Sequence, residues 1–374
     1  MKEHRVCWIL AYLFVLAAVI PTLGQAPSSP VMNQPAAPEQ RAPEPRIKAR
    51  VSLVNTPVTV VNSKGELVSD LEAKDFKVAD NGVPQKITHF DLGRPPLSLV
   101  ILIETSSRIE SLLPEIRRTG IVFTNTVMGP EDEAAVVGFN DSVDDLEGFT
   151  TDHDRIQNTF NTLKAGSEGS RLFDAMTMAL EMLSRLRPQP TSDSPERQRV
   201  MLIMSEGIDA GSEMRLGRVL WQAQRSNVSI YSVGISTALA AWKAPPKEIR
   251  PHLTPQGIFP QPGMPGTVQI PETEATRYGY GNLLNLLPNI KNQFANPLET
   301  AASGTGGQFI ATFKGKSMEE AVDQIGAELH GQYSLTYEHM GTSETGYHEI
   351  RVHVDRKGLK VRARPGYYVA PPEI

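Results

Sequence analysis

The residues whose types and spacing come nearest to known chemistry are Gly315-Lys316-Ser317, the pair His348 and His353, and carboxylates that follow apolar runs. Gly315-Lys316-Ser317 has the form of a phosphate loop's end, but Ile310 stands where that loop needs its first glycine. Ser317 with Glu320 reads instead as a helix-capping box. Gly304, Gly306 and Gly307 precede the apolar run Phe309 to Ala311 and read as a turn into a strand. His348 and His353 lie on a strand-like alternation, and their odd separation sends them to opposite faces, so they cannot share a metal on one strand. No G-x-S-x-G elbow or H-E-x-x-H helix occurs, and the carboxylates near the strand ends come without an obvious proton donor. The chemistry-bearing residues thus predict no enzyme.

Positioning such residues takes a packed core, and 374 residues with 40% hydrophobic content are enough to bury one. The formal charge of -5, with no Lys/Arg stripe interleaved with aromatics, argues against nucleic acid as a partner. Lys2, His4 and Arg5, the apolar run Trp8 to Ile20, and the small residues Thr22, Gly24 and Ala26 predict a secretory signal over 1–25. The chain is therefore expected to be exported, to the periplasm or as a secreted or cell-surface protein, touching a membrane only through an uncleaved signal anchor. The sole cysteine, Cys7, precedes the apolar run, so cleavage would leave no thiol for disulfides or metal. A Pro-, Ala-, Ser- and Gln-rich linker follows over 26–46.

A small β unit is expected over 47–96, with turns at Asn62-Ser63-Lys64-Gly65 and Asp80-Asn81-Gly82. From Leu97 the pattern changes to alternating apolar strands and amphipathic helices. Leu99 to Ile103, Ala134 to Phe139, Val200 to Met204 and Ser229 to Val233 read as strands, separated by helix-like stretches at Ile109 to Val127, Leu172 to Leu186 and Leu216 to Arg225. This rhythm predicts an α/β domain over 97–340 with a doubly wound, mostly parallel, Rossmann-like sheet and small flanking β elements. A Pro/Gly-rich insertion over about 238–296 interrupts it, with Tyr278, Tyr280, Leu283, Leu284 and Leu287 as an amphipathic segment or as contacts for a partner. The rhythm resumes at Leu298 and runs through Tyr333 to Tyr337, and 341–374 reads as an antiparallel hairpin and tail, turning at Lys357-Gly358 and packing with the N-terminal β unit.

Four segments resemble von Willebrand factor A (VWFA) domains at matching places and in matching order. They are Leu102-Ile103-Glu104-Thr105-Ser106-Ser107, Val136-Val137-Gly138-Phe139-Asn140-Asp141, Gly169-Ser170-Arg171-Leu172-Phe173-Asp174-Ala175 and Leu202-Ile203-Met204-Ser205-Glu206-Gly207. With the ending Arg364-Pro365-Gly366-Tyr367-Tyr368, the layout is similar to VWFA-related proteins of acidobacteria. The resemblance implies a metal-ion-dependent adhesion site in which aspartates, serines and a threonine hold Mg2+ or another divalent cation. Carried onto this chain, the metal positions fall on Glu104, Ser106, Ser170 and Glu206, a degenerate set: two glutamates stand for aspartates, a serine stands for the threonine, and Arg108 stands where the second serine would be. Arg108 would repel a cation or, paired with Glu104 or Glu206, supply in protein form the charge the metal would carry. The cofactor is accordingly either absent or Mg2+ or another divalent cation.

The function expected from the resemblance is a non-enzymatic protein-binding or adhesion module for an unidentified protein partner, with Asn140, Asp141 and Asp209 on the rim of the binding face. The alternatives are a structural subunit of a cell-envelope assembly and, third, an exported hydrolase.

Overall fold

The structure, a computed structural model, describes residues 52–92, 95–186, 197–235, 296–312, 317–339 and 346–369. The expected signal, linker and C-terminal tail, Gly315-Lys316, and all of the insertion except Asn296 lie outside the described residues.

A six-stranded sheet with order β10-β9-β8-β5-β6-β7 forms the centre of the α/β region. Its strands are β5 (Leu97–Glu104), β6 (Glu133–Phe139), β7 (Val143–Thr150), β8 (Gln198–Ser205), β9 (Val228–Gly234) and β10 (Phe309–Ala311). All neighbouring pairs are parallel except β6 with β7, which is antiparallel at the edge. The doubly wound, mostly parallel α/β class expected from the apolar rhythm is thus the observed one. Along β5 every residue is buried, and alternate side chains enter different cores. Leu99, Ile101 and Ile103 join one cluster with residues of α1 (Leu113–Val122), α2 (His153–Thr162) and α6 (Met318–His330). Val100 and Leu102 join another with residues of α3 (Leu172–Arg185), α4 (Leu216–Arg225) and α5 (Pro297–Thr305). A strand covered by helices on both faces has no polar side, which is why it reads as an unbroken apolar run. Ser317 Oγ accepts from Glu320 N–H at 3.1 Å and Glu320 answers to Ser317 N–H at 3.1 Å, completing the capping box at the start of α6.

Within the α/β region two elements had no counterpart in the sequence, β7 and α2. The strand β7 carries Asp144, Asp145 and Glu147 at a sheet edge and buries none of its residues fully, so it lacks the apolar run that marked the others. Asp152 caps α2 by accepting from the N–H groups of Asp154 and Arg155.

The remaining strands make two four-stranded antiparallel sheets, β13-β1-β11-β4 and β14-β12-β2-β3. They comprise β1 (Ser52–Val61), β2 (Phe76–Asp80), β3 (Val83–Gln85) and β4 (Ile87–Asp91) before the α/β region, and β11 (Tyr333–His339), β12 (Gly346–Val354), β13 (Lys360–Ala363) and β14 (Gly366–Val369) after it. Val58, Val60, Phe76, Val78, Tyr333, Leu335, Tyr337 and Ile350 share one core between the sheets. The α/β region is thus inserted between the two halves of a β-sandwich. The turn at Asn81-Gly82 has φ of 47° and 80°, the left-handed pair that a two-residue hairpin between β2 and β3 requires.

Two expectations are corrected. Residues 333–339 do not continue the α/β domain: Val54 pairs with Tyr337 and Val58 with Tyr333, so β11 sits at the centre of a sandwich sheet. Nor do Ile350 to Val354 and Val361 to Ala363 form a terminal hairpin with each other. The strand β12 pairs with β2 and β14, whereas β13 pairs with β1 in the other sheet. A turn at Gly358, with φ of 81°, reverses the chain, but the apolar faces of two opposed sheets decide where each strand goes.

The sandwich and the α/β region meet at Glu328 on α6. Thr59 donates to its Oε1 at 3.0 Å, Tyr231 at 2.9 Å, and Arg362 forms an ion pair with its Oε2. Burial, with Glu328 beside it, pushes the Tyr231 hydroxyl well above the ordinary phenol range, so it remains a donor.

Candidate functional site

The strands β5 and β8 are neighbours at the centre of the sheet, and the chain leaves them toward opposite halves of it. At such a switch point the loops diverge and open a crevice at the carboxyl ends of the strands. Glu104 ends β5 there and Ser205 ends β8.

Glu104 is fully buried, an expensive place for a carboxylate unless every lone pair is used. Ser106 Oγ donates to its Oε1 at 2.7 Å, and Arg108 Nη2 to the same oxygen at 3.0 Å. Ser205 Oγ donates to its Oε2 at 2.7 Å, joined by the backbone N–H of Glu206 at 3.0 Å. Arg108 also reaches across the crevice, with Nε 3.2 Å from Glu206 Oε2, an ion pair without the alignment of a hydrogen bond. One guanidinium therefore ties the carboxylates of both strand ends. Gly207 lets the chain turn away immediately after: its φ is 78°, and a Cβ would stand 2.7 Å from Asn296 Oδ1.

The loops around this core bring in the other residues singled out from the sequence. Asn140 donates from Nδ2 to Thr105 Oγ1 at 3.1 Å, accepts from Ser167 Oγ at 3.0 Å, and its carbonyl accepts from Arg171 N–H at 2.9 Å. Asn140 thus braces the loops that follow β5 and precede α3, while Asp141 beside it is exposed. Asp209 accepts from Phe173 N–H at 3.2 Å and from Ser212 Oγ at 2.6 Å, which ties it to the first turn of α3. Ser170 is fully buried, and its Oγ makes no hydrogen bond among the described residues.

A hard cation seeks oxygen ligands with free lone pairs and no competing positive charge. The residues here do not fit one. The described partners of Glu104 are all donors, and the Arg108 guanidinium already lies against both carboxylates. The arrangement instead resembles a metal site whose charge comes from a side chain. Sequence reading had assigned no role to Ser205, although it lies in a segment that carries the VWFA resemblance; the inward turn of the last β8 side chain is set by the pleat.

A second group, Asp80, His339 and His348, went unrecognised as a set. Its members lie on three strands, and His348 and Asp80 are 268 residues apart. The pairing of His348 with His353 failed for the reason expected, since His348 is buried and His353 exposed on β12.

No protein-family profile and no curated protein matches the chain. Among solved structures it is similar to an aerotolerance-related membrane protein from Bacteroides fragilis, at 12% identity over 62% of this chain and 98% of that one, with a TM-score of 0.39. It is also similar to the conserved hypothetical protein BatB from Bacteroides thetaiotaomicron, at 12% identity over 37% of this chain and 66% of that one, with a TM-score of 0.30. The vWF domain of the type V pili tip protein Mfa5 from Porphyromonas gingivalis is 17% identical over 31% of this chain and 39% of that one, with a TM-score of 0.25. The α/β class itself rests on the strand order of this chain, with a Glu104–Arg108–Glu206 bridge, anchored on a buried Glu104, at its switch point.

Proposed function

We propose that this chain is an exported, non-enzymatic protein-binding module related to the VWFA domains of acidobacterial proteins, which holds its binding face in shape without a cation. The observation that carries this reading is the Arg108 guanidinium set between Glu104 and Glu206 at the sheet's switch point. In a metal-dependent adhesion site the ion organises the strand-end loops and completes its shell with a ligand carboxylate. Here the arginine performs the first task permanently, and the face is ready for a protein partner at any cation concentration. Arg108 keeps a quarter of its side-chain surface exposed, so a partner's carboxylate has access to the remaining guanidinium N–H groups. Export is supported by the basic start and apolar run of the N-terminal sequence.

The test is a photo-crosslinking residue placed at exposed Asp141 in the native host, with and without chelator, against a control at Leu53, which is 67% exposed on the sandwich. A discrete heterologous adduct from position 141, indifferent to chelator and missing from position 53, supports the reading. An adduct that chelator abolishes, or none from position 141, overturns it. An adduct with a second copy of the chain would favour the structural-subunit alternative.

A further inference from the structure

The sandwich contains a cluster independent of the strand-end site. Asp80 ends β2, His339 ends β11 and His348 lies near the start of β12, so the two sheets together deliver a carboxylate and two imidazoles to one point. Asp80 Oδ1 is 3.0 Å from His348 Nδ1, and Asp80 Oδ2 is 3.5 Å from His339 Nδ1. The imidazole rings meet edge to face with centroids 4.7 Å apart. One ligating atom from each residue lies within 4.8 Å of those of the other two.

Three observations point to an ion rather than a closed hydrogen-bond network. The Asp80 side chain is 1% exposed, and the described donors to it are the Tyr337 and Tyr367 hydroxyls, at 2.9 and 2.8 Å on Oδ2, and His348. None of these carries a permanent positive charge to offset the carboxylate. His339 Nδ1 is buried and makes no hydrogen bond in the described structure. The spacing is also right: ligand atoms about 2.1 Å from a shared tetrahedral ion stand about 3.4 Å apart. Each imidazole nitrogen is near that value from one Asp80 oxygen, His348 from Oδ1 and His339 from Oδ2, and three ligand atoms that already lie within 4.8 Å of one another need to draw in by about an ångström to share an ion.

We propose that Asp80, His339 and His348 bind a divalent transition metal. Two imidazoles and a carboxylate favour ions such as Zn2+ over Mg2+ or Ca2+, which prefer oxygen alone. The phenols on Oδ2 hold the carboxylate from behind, as outer partners of metal ligands do. His339 keeps 18% of its side-chain surface exposed, against 1–2% for Asp80 and His348, so an ion would enter past His339. Binding would place the proton of His348 on Nε2 and leave Nδ1 to the metal. Because Asp80 precedes the α/β region and both histidines follow it, the ion would fasten the two halves of the sandwich together.

The test uses tag-free full-length protein, stripped with a chelator and titrated with Zn2+ against a chromophoric competitor, and with Co2+ followed by visible absorption. One equivalent should bind to the wild type, with the intense absorption of low-coordinate Co2+, and Zn2+ should raise the thermal midpoint. His339→Ala should weaken Zn2+ binding by at least about tenfold and abolish the midpoint shift, while His353→Ala, altering an exposed histidine on the strand that carries His348, should change neither. If His339→Ala does not fold, His339→Gln carries the same comparison. A wild type that binds less than one equivalent, or a His339 variant that binds as tightly as the wild type, would overturn the proposal.

Discussion

Two buried carboxylates in this chain are stabilised in different ways. Glu104, at the switch point of the parallel sheet, is surrounded by two hydroxyls, a backbone N–H and an arginine that is charged at every accessible pH. Asp80, between the sandwich sheets, is met by phenols and imidazoles, whose charge is nil or conditional. The first site carries its own counter-charge; the second has the ligand types of a transition-metal site, and none of the described donors to its carboxylate carries a permanent charge. A VWFA-like fold would place the metal at the strand ends, yet in this chain the side chains suited to a metal lie in the sandwich.

The comparison breaks most readily at Arg108. Removing one partner of a buried pair leaves the other charge uncompensated, so Arg108→Ser should destabilise the protein by roughly 3 kcal/mol in chemical denaturation, the low end for buried pairs because Arg108 is partly exposed. The same variant should gain Mg2+ or Mn2+ binding by calorimetry; no gain would mean the arginine is not standing in for an ion. Replacing both partners, as Arg108→Met with Glu104→Gln, should cost less than the single change, because neither group is then left as a buried lone charge. At the other site, Asp80→Asn keeps the shape but weakens the bonds from Tyr337 and Tyr367, an expected loss of about 1–3 kcal/mol in the metal-free protein. Ser170→Ala should be within about 0.5 kcal/mol of neutral, since the hydroxyl it removes is buried without a described partner; a clear loss would reveal a partner there and weaken the metal-free reading of the crevice.

The smallest effect concerns pH. Burial would raise the Asp174 pKa at the start of α3, but the N–H groups of Met214 and Glu213, together with Arg171, hold it below the ordinary 3.8. A depressed folded-state pKa contributes stability above the unfolded value and loses it as acid drives the pH down through the folded one. The difference in thermal midpoint between wild type and Asp174→Asn should therefore shrink below about pH 3.8, which melts across an acid series would show.

Legibility differed between the two regions for a physical reason. The parallel strands β5, β6, β8 and β9 are buried on both faces and appear as short apolar runs, and α4 was legible to its last residue because one face is apolar. Glu104, Ser106, Arg108 and Glu206 were recognisable through the resemblance of their segments to VWFA domains, which short loops at the ends of those runs keep intact in the sequence. The sandwich strands carried their alternation but not their partners: nothing local distinguishes β13 pairing with β1 from β13 pairing with β12. Nor could local pattern reveal that β7, an acidic edge strand, belongs to the central sheet.

The sequence by itself determined the α/β class, the order of the strand-end loops and the presence of an arginine among their carboxylates, because burial on two faces and short connections are local properties. Tertiary structure alone decided that one guanidinium bridges Glu104 and Glu206, that residues 333–339 belong to the sandwich, and that Asp80 meets two histidines. Each of these depends on strands far apart in the chain being brought together by a shared apolar core, and spacing along the sequence does not carry that information.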